Sequence, residues 1–413
     1  MSIKRVPLKA KSKINANGLS IAITGKDHYD VETTVYIPDT STALIAPPGR
    51  GKTFFITDYI RQVEKNQEAV SIVFDAKGEL YKELYKPGDV IISSIPISGY
   101  PVEKWSIFSE IYADAYPKLF AKELTQMIFG EAINESHAPV FPTAASQIFY
   151  SILYAMVAEA KKPYNDDLID GIVKVSDERL KKLDKQYPEL GLGYLISRNE
   201  TGMGIRMELA SNLQEIFPIG SLSRDHGTFS IRNFIKNGNG RKLFIIFPFN
   251  QNEGMASITS ILLDLAMKEI ISGNDLTDGS KTRFNLFLDE FACLPSKLQY
   301  LTRVNDFGRS KGARLIVGIQ SYAQLKRIYG DAGAENILAS FNNLIAFKPN
   351  DEETRSKLKE RCGKREFTVT PICDVIPGGD VVTDNDLNKL QTAEAIMMLN
   401  NTPPFFFNFK GSF

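Results

Sequence analysis

Residues 46–53 read APPGRGKT, directly behind the apolar run TALI and directly ahead of FFITDYIRQVEK, whose apolar positions recur at helical spacing. Strand, glycine-bearing loop and helix in that order are what a phosphate-binding loop needs. Glycines let successive backbone N–H groups converge on phosphate oxygens, and the helix N-terminus adds partial positive charge. The candidate nucleotide-binding residues are therefore Pro48, Gly49, Arg50, Gly51, Lys52, Thr53 and Phe54. Lys52 is set to reach the β- and γ-phosphates of ATP, and the Thr53 hydroxyl to ligate Mg²⁺. Ala46 stands where the strict pattern has glycine, which weakens the bare motif slightly and leaves its context intact.

A second group ends the apolar run RFNLFLDEF with Asp289 and Glu290. An acidic pair in that place often does no more than open a helix. In a chain with a phosphate-binding loop, the first carboxylate holds the Mg²⁺ shell and the second polarises the attacking water. Asp289 thus joins Thr53 as a candidate metal residue, and Glu290 is the candidate base. ARLIVGIQ brings Gln320 to the C-terminal end of another apolar run, the edge of an open α/β sheet where ligands bind. There it senses the γ-phosphate, orients water, or merely caps the strand. Ahead of that run FGRSKG offers Arg309 and Lys311 in a glycine-flanked turn, either a charge-stabilising finger or a solvated surface. The catalytic candidates are Lys52, Glu290, Arg309 and Gln320.

Positioning these groups takes a sheet. SIAIT, TTVYI, TALIA, SIVFD and DVIISS precede residue 95, and KLFIIFPF, RFNLFLDEF, ARLIVGIQ, NLIAFKP and FTVTPI follow residue 240. Runs such as TALIA and SIVF are apolar on both faces, as strands of a parallel sheet between two helix layers must be. Between them AYPKLFAKELTQMIFG, TAASQIFYSILYAMVAEAKK and GMGIRMELASNLQEIFP carry apolar residues at three- and four-residue spacing. The expected fold class is α/β, a mostly parallel sheet interrupted by an all-α insertion. The expected division is residues 1–111 with the phosphate-binding loop, 112–225 as the insertion, and 226–413 as the remainder of the nucleotide-binding domain. The lone Trp105 is expected in the core rather than as a stacking platform.

Composition narrows the function classes. The chain has 413 residues with 49 basic and 49 acidic, so no global field draws it to a polyanion and any such contact must be local. Three cysteines without CxxC spacing and three histidines, none near a cysteine, argue against structural zinc. Sparse cysteine and no N-terminal apolar leader point to a reducing, cytoplasmic compartment. No stretch reaches the ~18 unbroken apolar residues of a membrane-spanning helix. The basic opening MSIKRVPLKAKSK reads as a solvated terminus or as a contact to nucleic acid or membrane.

Taken together, APPGRGKT, VFDAKGELY (73–81), FLDEFACL (287–294) and GRSKGARLIVGIQSYAQLKRIYG (308–330) make the chain similar, over residues 42–347, to the type IV secretion coupling proteins of the TraG/TraD kind. The resemblance implies a RecA-like P-loop ATPase, hexameric when assembled, at the cytoplasmic face of the inner membrane. It implies delivery of relaxase-bound single-stranded DNA, or of secreted protein, to membrane-embedded channel components. Members usually begin with membrane-spanning helices, which this sequence lacks. The alternative is a recruitment platform that binds nucleotide and hydrolyses little. The family motif also places Asp75, Lys77 and Glu79 at the nucleotide edge or a subunit seam, unless they form a plain solvated turn. Lys236, Arg241, Lys242, Arg303, Lys311 and Arg314 are candidates for local DNA contacts in a hexameric pore.

Overall fold

A computed structural model of the chain describes residues 21–27, 31–93, 96–159, 163–195, 200–216, 227–246, 256–276, 283–294, 296–365, 368–369, 375–376 and 379–409. The basic opening, His28 and His226 lie outside these residues.

The first strands are β1 (Ile21–Asp27), β2 (Glu32–Ile37) and β3 (Thr42–Ile45). The phosphate-binding loop then leads into α1 (Lys52–Val63), followed by β4 (Val70–Asp75), α2 (Leu80–Leu84) and β5 (Val90–Ser93). Helices follow: α3 (Ile107–Tyr112), α4 (Pro117–Glu135), α5 (Val140–Ala158), α6 (Asn165–Val173), α7 (Asp177–Gln186), α8 (Glu200–Ile216) and α9 (Ile231–Asn237). The sheet resumes with β6 (Lys242–Ile246), α10 (Ala256–Ser272), β7 (Phe284–Leu288), α11 (Leu301–Phe307), β8 (Ala313–Ile319), α12 (Tyr322–Ser340), β9 (Asn343–Phe347) and α13 (Glu352–Cys362). Two small ribbons, β10 (Lys364–Arg365) with β13 (Gly379–Asp380) and β11 (Thr368–Val369) with β12 (Val375–Ile376), precede α14 (Asp384–Asn388), β14 (Glu394–Met398) and β15 (Phe405–Phe409). Of the strand-like FTVTPI, only Thr368 and Val369 are described.

One sheet holds eleven strands in the order β2-β1-β15-β14-β9-β3-β8-β7-β4-β6-β5. From β9 to β5 every pairing is parallel, and from β9 to β2 every pairing is antiparallel. The parallel strands β3, β4, β6, β7, β8 and β9 are buried at every residue. Successive side chains serve opposite faces. Val73 and Leu44 join Phe55, Ile56 and Ile60 of α1 on one side, while Ile72, Phe74, Ala43 and Ile45 meet the helices beyond β5 on the other. The fold is therefore α/β with a mostly parallel centre, and helices on both faces explain why these strands carry no polar alternation.

Among the described residues, helices fill the stretch between β5 and β6, beginning at Ile107 and ending at Asn237. Their apolar residues, Phe120, Leu124 and Phe149 among them, are continuous with the sheet's own core, so this unit is docked rather than tethered. α5 is long and apolar enough to cross a membrane by length and composition, and 56% of that stretch is buried among its neighbours. Trp105 lies in the core and donates through Nε1 to Glu110 Oε1 at 2.9 Å. Glu110, wholly buried on α3, also accepts from Ser230 Oγ and the backbone N–H groups of Ile231 and Arg232. It thereby fastens the start of α9 to α3.

Two of the six pore candidates are corrected. Arg314 sits inside β8 at 1% exposure; its Nε donates to Asn285 Oδ1 at 2.5 Å and its guanidinium pairs with Asp39. Lys242 lies within β6 and pairs with Glu64 at 3.0 Å and Asp89 at 3.1 Å. Both belong to the interior, where a charge is tolerable only when paired.

Candidate functional site

The C-terminal edge of the parallel strands gathers the sequence motifs. Pro48, Gly49 and Arg50 form the turn after β3, and Ala46 N–H donates to Ile319 O at 2.9 Å, tying the loop's start to the end of β8. Gly49 has φ 72° and Gly51, the residue before α1, has φ 109°. A side chain at either position would be strained, so the loop's path depends on glycine there. Thr53 and Phe54 follow in the first turn of α1, half-buried.

Lys52 and Glu290, 238 positions apart in sequence, meet at 2.6 Å between Nζ and Oε2, and both side chains are buried. Asp289 is 1% exposed, and its N–H donates to Phe74 O. Neither Asp289 Oδ1 nor Glu290 Oε1 has a hydrogen-bond partner. Burial pushes the Asp289 carboxyl up to about 6, only partly offset by the Lys52 charge. Two uncommitted buried carboxylate oxygens beside a lysine are costly unless something cationic or proton-bearing fills the gap. The donor set therefore suits a hard divalent cation and a phosphate chain.

Gln320 follows β8 at the same edge, one residue past the Ile45–Ile319 register pair. Its Oε1 accepts from Gln324 Nε2 at 3.3 Å, and Gln324 Oε1 is buried without a partner. Arg309 is not brought to this edge. It is exposed in the turn between α11 and β8, at the opposite end of β8, whose seven residues span about 23 Å. Neighbouring Lys311 pairs with Asp275 at 3.0 Å. Asp75 is wholly buried, and its carboxylate accepts from the N–H groups of Glu79 (3.1 Å) and Tyr81 (3.0 Å). That arrangement shapes the turn into α2, while Lys77 and Glu79 are exposed.

One residue escaped the motif reading. A Cβ on Gly318 of β8 would lie 2.3 Å from Asp289 O and 2.7 Å from Lys52 Cδ. Only glycine lets the Lys52 stem and the end of β7 pass so close to β8. A glycine inside a strand pattern signals such close approach, and ARLIVGIQ carried that signal. Burial pushes the thiol of Cys293, three residues past Glu290, up to about 11, away from the thiolate form that reacts.

Residues 31–402 match the family model for the type IV secretion-system coupling protein DNA-binding domain. The chain is 23% identical over 332 residues to the coupling protein TraD of Escherichia coli (strain K12), covering 77% of this chain and 43% of that one. The chain thus spans less than half the length of this relative. Among solved structures, the bacterial conjugative coupling protein TrwBdeltaN70 in its unbound form superposes with a TM-score of 0.76 at 18% identity, covering 92% of this chain and 88% of that one. TrwB in complex with ADP and Mg²⁺ gives 0.73 at 18% identity, covering 90% and 86%. VirB4 of Thermoanaerobacter pseudethanolicus gives 0.58 at 13% identity, covering 95% and 97%.

Proposed function

The chain belongs to the family of the type IV secretion-system coupling protein DNA-binding domain, and from that premise we propose that it is an ATP-hydrolysing motor. It couples phosphate release to delivery of relaxase-bound single-stranded DNA, or of secreted protein, into a conjugation channel. The observation carrying this reading is the buried Lys52–Glu290 contact beside Asp289, with one uncommitted oxygen on each carboxylate.

The chemistry follows from these groups. Backbone N–H groups of 49–53 and the start of α1 hold the phosphate oxygens of ATP, and Lys52 exchanges its Glu290 partner for the β- and γ-phosphates. That exchange releases the Glu290 carboxylate to accept a proton from the water that attacks the γ-phosphorus. Thr53 and Asp289 would hold Mg²⁺, which when bound neutralises charge on the β- and γ-oxygens. Gln320, at the same strand edge as the loop, orients that water or registers its departure through Gln324 on α12. Similarity to TrwB, solved with ADP and Mg²⁺ and with a non-hydrolysable ATP analogue, supports this nucleotide. A recruitment platform with no hydrolysis has no use for a second carboxylate beside Lys52.

Assembly belongs to the same proposal. The motor acts as a ring, six-fold in the family pattern, at the cytoplasmic face of the membrane beside the channel proteins. Arg309 then serves the neighbouring subunit's site, because it lies at the far end of β8 from its own. The helical unit between β5 and β6 faces cargo, while residues 1–111 and 226–413 form the nucleotide-binding part around it. The test is phosphate release from Mg²⁺–ATP by the parent chain with and without single-stranded DNA. Hydrolysis that rises with DNA supports the motor; nucleotide binding without any turnover under either condition overturns it.

A further inference from the structure

The stretch 308–330 ends in Tyr329 and Gly330, two residues that the nucleotide chemistry above does not use. α12 breaks at Gly330, where φ is 73° and ψ 175°. That backbone conformation is essentially confined to glycine. The first part of α12, residues 322–329, is therefore a rod of its own, about 12 Å long. Near its start Gln324 donates to Gln320 at the end of β8, and Tyr329 closes it. The Tyr329 ring stacks on Phe291, with centroids 5.6 Å apart and an interplanar angle of 20°. Its hydroxyl accepts from Leu298 N–H at 2.9 Å. One side chain thus grips the segment after Glu290 at two points, the first of them the very next residue.

We infer that Tyr329 is a positioning residue for Glu290, acting through Phe291. The inference rests on the hydrolytic reading above, in which Glu290 is the base, and names what holds that base during turnover. In the nucleotide-free chain Glu290 Oε2 is held by Lys52 at 2.6 Å, and Oε1 has no partner. Once Lys52 turns to the phosphates that hold is gone, and the place of the carboxylate is set by the backbone on either side of it. On one side Asp289 N–H donates to Phe74 O. On the other, Phe291 is 1% exposed and lies against the Tyr329 ring. Asp264 holds the more distant Gln299 and Tyr300, so Tyr329 is the member of this support that reaches back to Glu290. Precision matters there, since a misplacement of about 1 Å can lower a rate by ~10²-fold. The same rod meets Gln320 at its other end, so the base and the residue beside the phosphates are set by one rigid element.

The experiment measures kcat and Mg²⁺–ATP affinity for the parent chain, Tyr329→Phe and Tyr329→Ala, and repeats all three in a Glu290→Gln background. Positioning predicts that Tyr329→Ala lowers kcat by about tenfold or more while affinity stays within about twofold. Tyr329→Phe keeps the ring and loses the bond to Leu298, and its kcat should fall by about threefold. In the Glu290→Gln background neither substitution should lower the residual rate further, because the group being positioned is absent. Tyr329→Phe carries the test alone if Tyr329→Ala fails to fold. Parental kcat in folded Tyr329→Phe, an affinity loss as large as the kcat loss, or the same kcat loss with and without Glu290 overturns the positioning role and leaves Glu290 as base. A parent chain that binds Mg²⁺–ATP without turnover overturns the hydrolytic reading, and the inference with it.

Discussion

The Lys52 side chain reaches its position only because β8 presents no Cβ at residue 318. The nearest atoms there are a backbone oxygen, Asp289 O at 2.3 Å, and the Lys52 stem at 2.7 Å. A methyl group must therefore push β7 and β8 apart at their ends or displace Lys52. Gly318→Ala is expected to weaken Mg²⁺–ATP binding by about tenfold or more, on the scale of ~1–3 kcal/mol for overpacking a filled site. Titrations with ATP and with Mg²⁺ check it, and both should weaken, because Lys52 and Asp289 move together. A variant that binds both at parental affinity contradicts the tight approach. That Lys52, Asp289 and Glu290 belong together was legible in sequence, because phosphate chemistry asks for those types, and the structure brings them to one strand edge. Asp75 was not, since DAKGEL reads equally as a solvated turn until its carboxylate is seen taking N–H groups from that same turn. Arg314 was misjudged for a related reason: its partners Asp39 and Asn285 come from distant segments that no local pattern links to it.

Elements buried on both sides were the easiest to read. TALI, VSIVFD, FNLFL and ARLIVGI are mostly apolar with no polar alternation, and each became a wholly buried strand. β14 and β15 passed unnoticed; each has five residues, Pro403 and Pro404 stand between them, and their pairing with β9 and β1 is set by distant contacts. The segment after Glu290 is anchored by Asp264 of α10, whose carboxylate accepts from Gln299 and Tyr300 N–H at 3.0 Å each. Burial, with Glu131 nearby, raises this carboxyl from 3.8 to about 7. The folded chain thus holds the proton more tightly than the unfolded one. The resulting stability is fully present below the unfolded pKa and is lost as pH rises through the folded one. Between pH 5.5 and 8 that loss is about 2 kcal/mol. Urea midpoints should fall across this window in the parent and much less in Asp264→Asn; equal slopes would remove Asp264 as the cause. For the helical unit, replacing residues 117–216 by a short linker while keeping α3 and α9 should leave ATP affinity within about threefold, a shift under ~1 kcal/mol. A folded variant that no longer binds ATP would show that the unit builds the site rather than serving cargo.

At the scale of the molecule, the phosphate-binding loop and Arg309 lie at opposite ends of β8. A single subunit cannot bring them together, and a ring can. Arg309→Ala subunits mixed with Lys52→Ala subunits should therefore recover part of the parental turnover, since some seams combine an intact loop with an intact arginine. An arginine finger contributes ~10³-fold or more where it acts, so even a minority of such seams is detectable. No recovery in assembled mixed rings would return Arg309 to the solvated surface. The motor reading depends on the Lys52–Glu290–Asp289 cluster being a hydrolytic centre, and the most direct measurement is phosphate release together with bound nucleotide for the parent, Lys52→Ala and Glu290→Gln. The expected result is that Glu290→Gln retains Mg²⁺–ATP yet turns over slower by about 10² or more, as for loss of a general base, while Lys52→Ala loses hydrolysis altogether. Turnover at the parental rate in either variant would contradict the assignment.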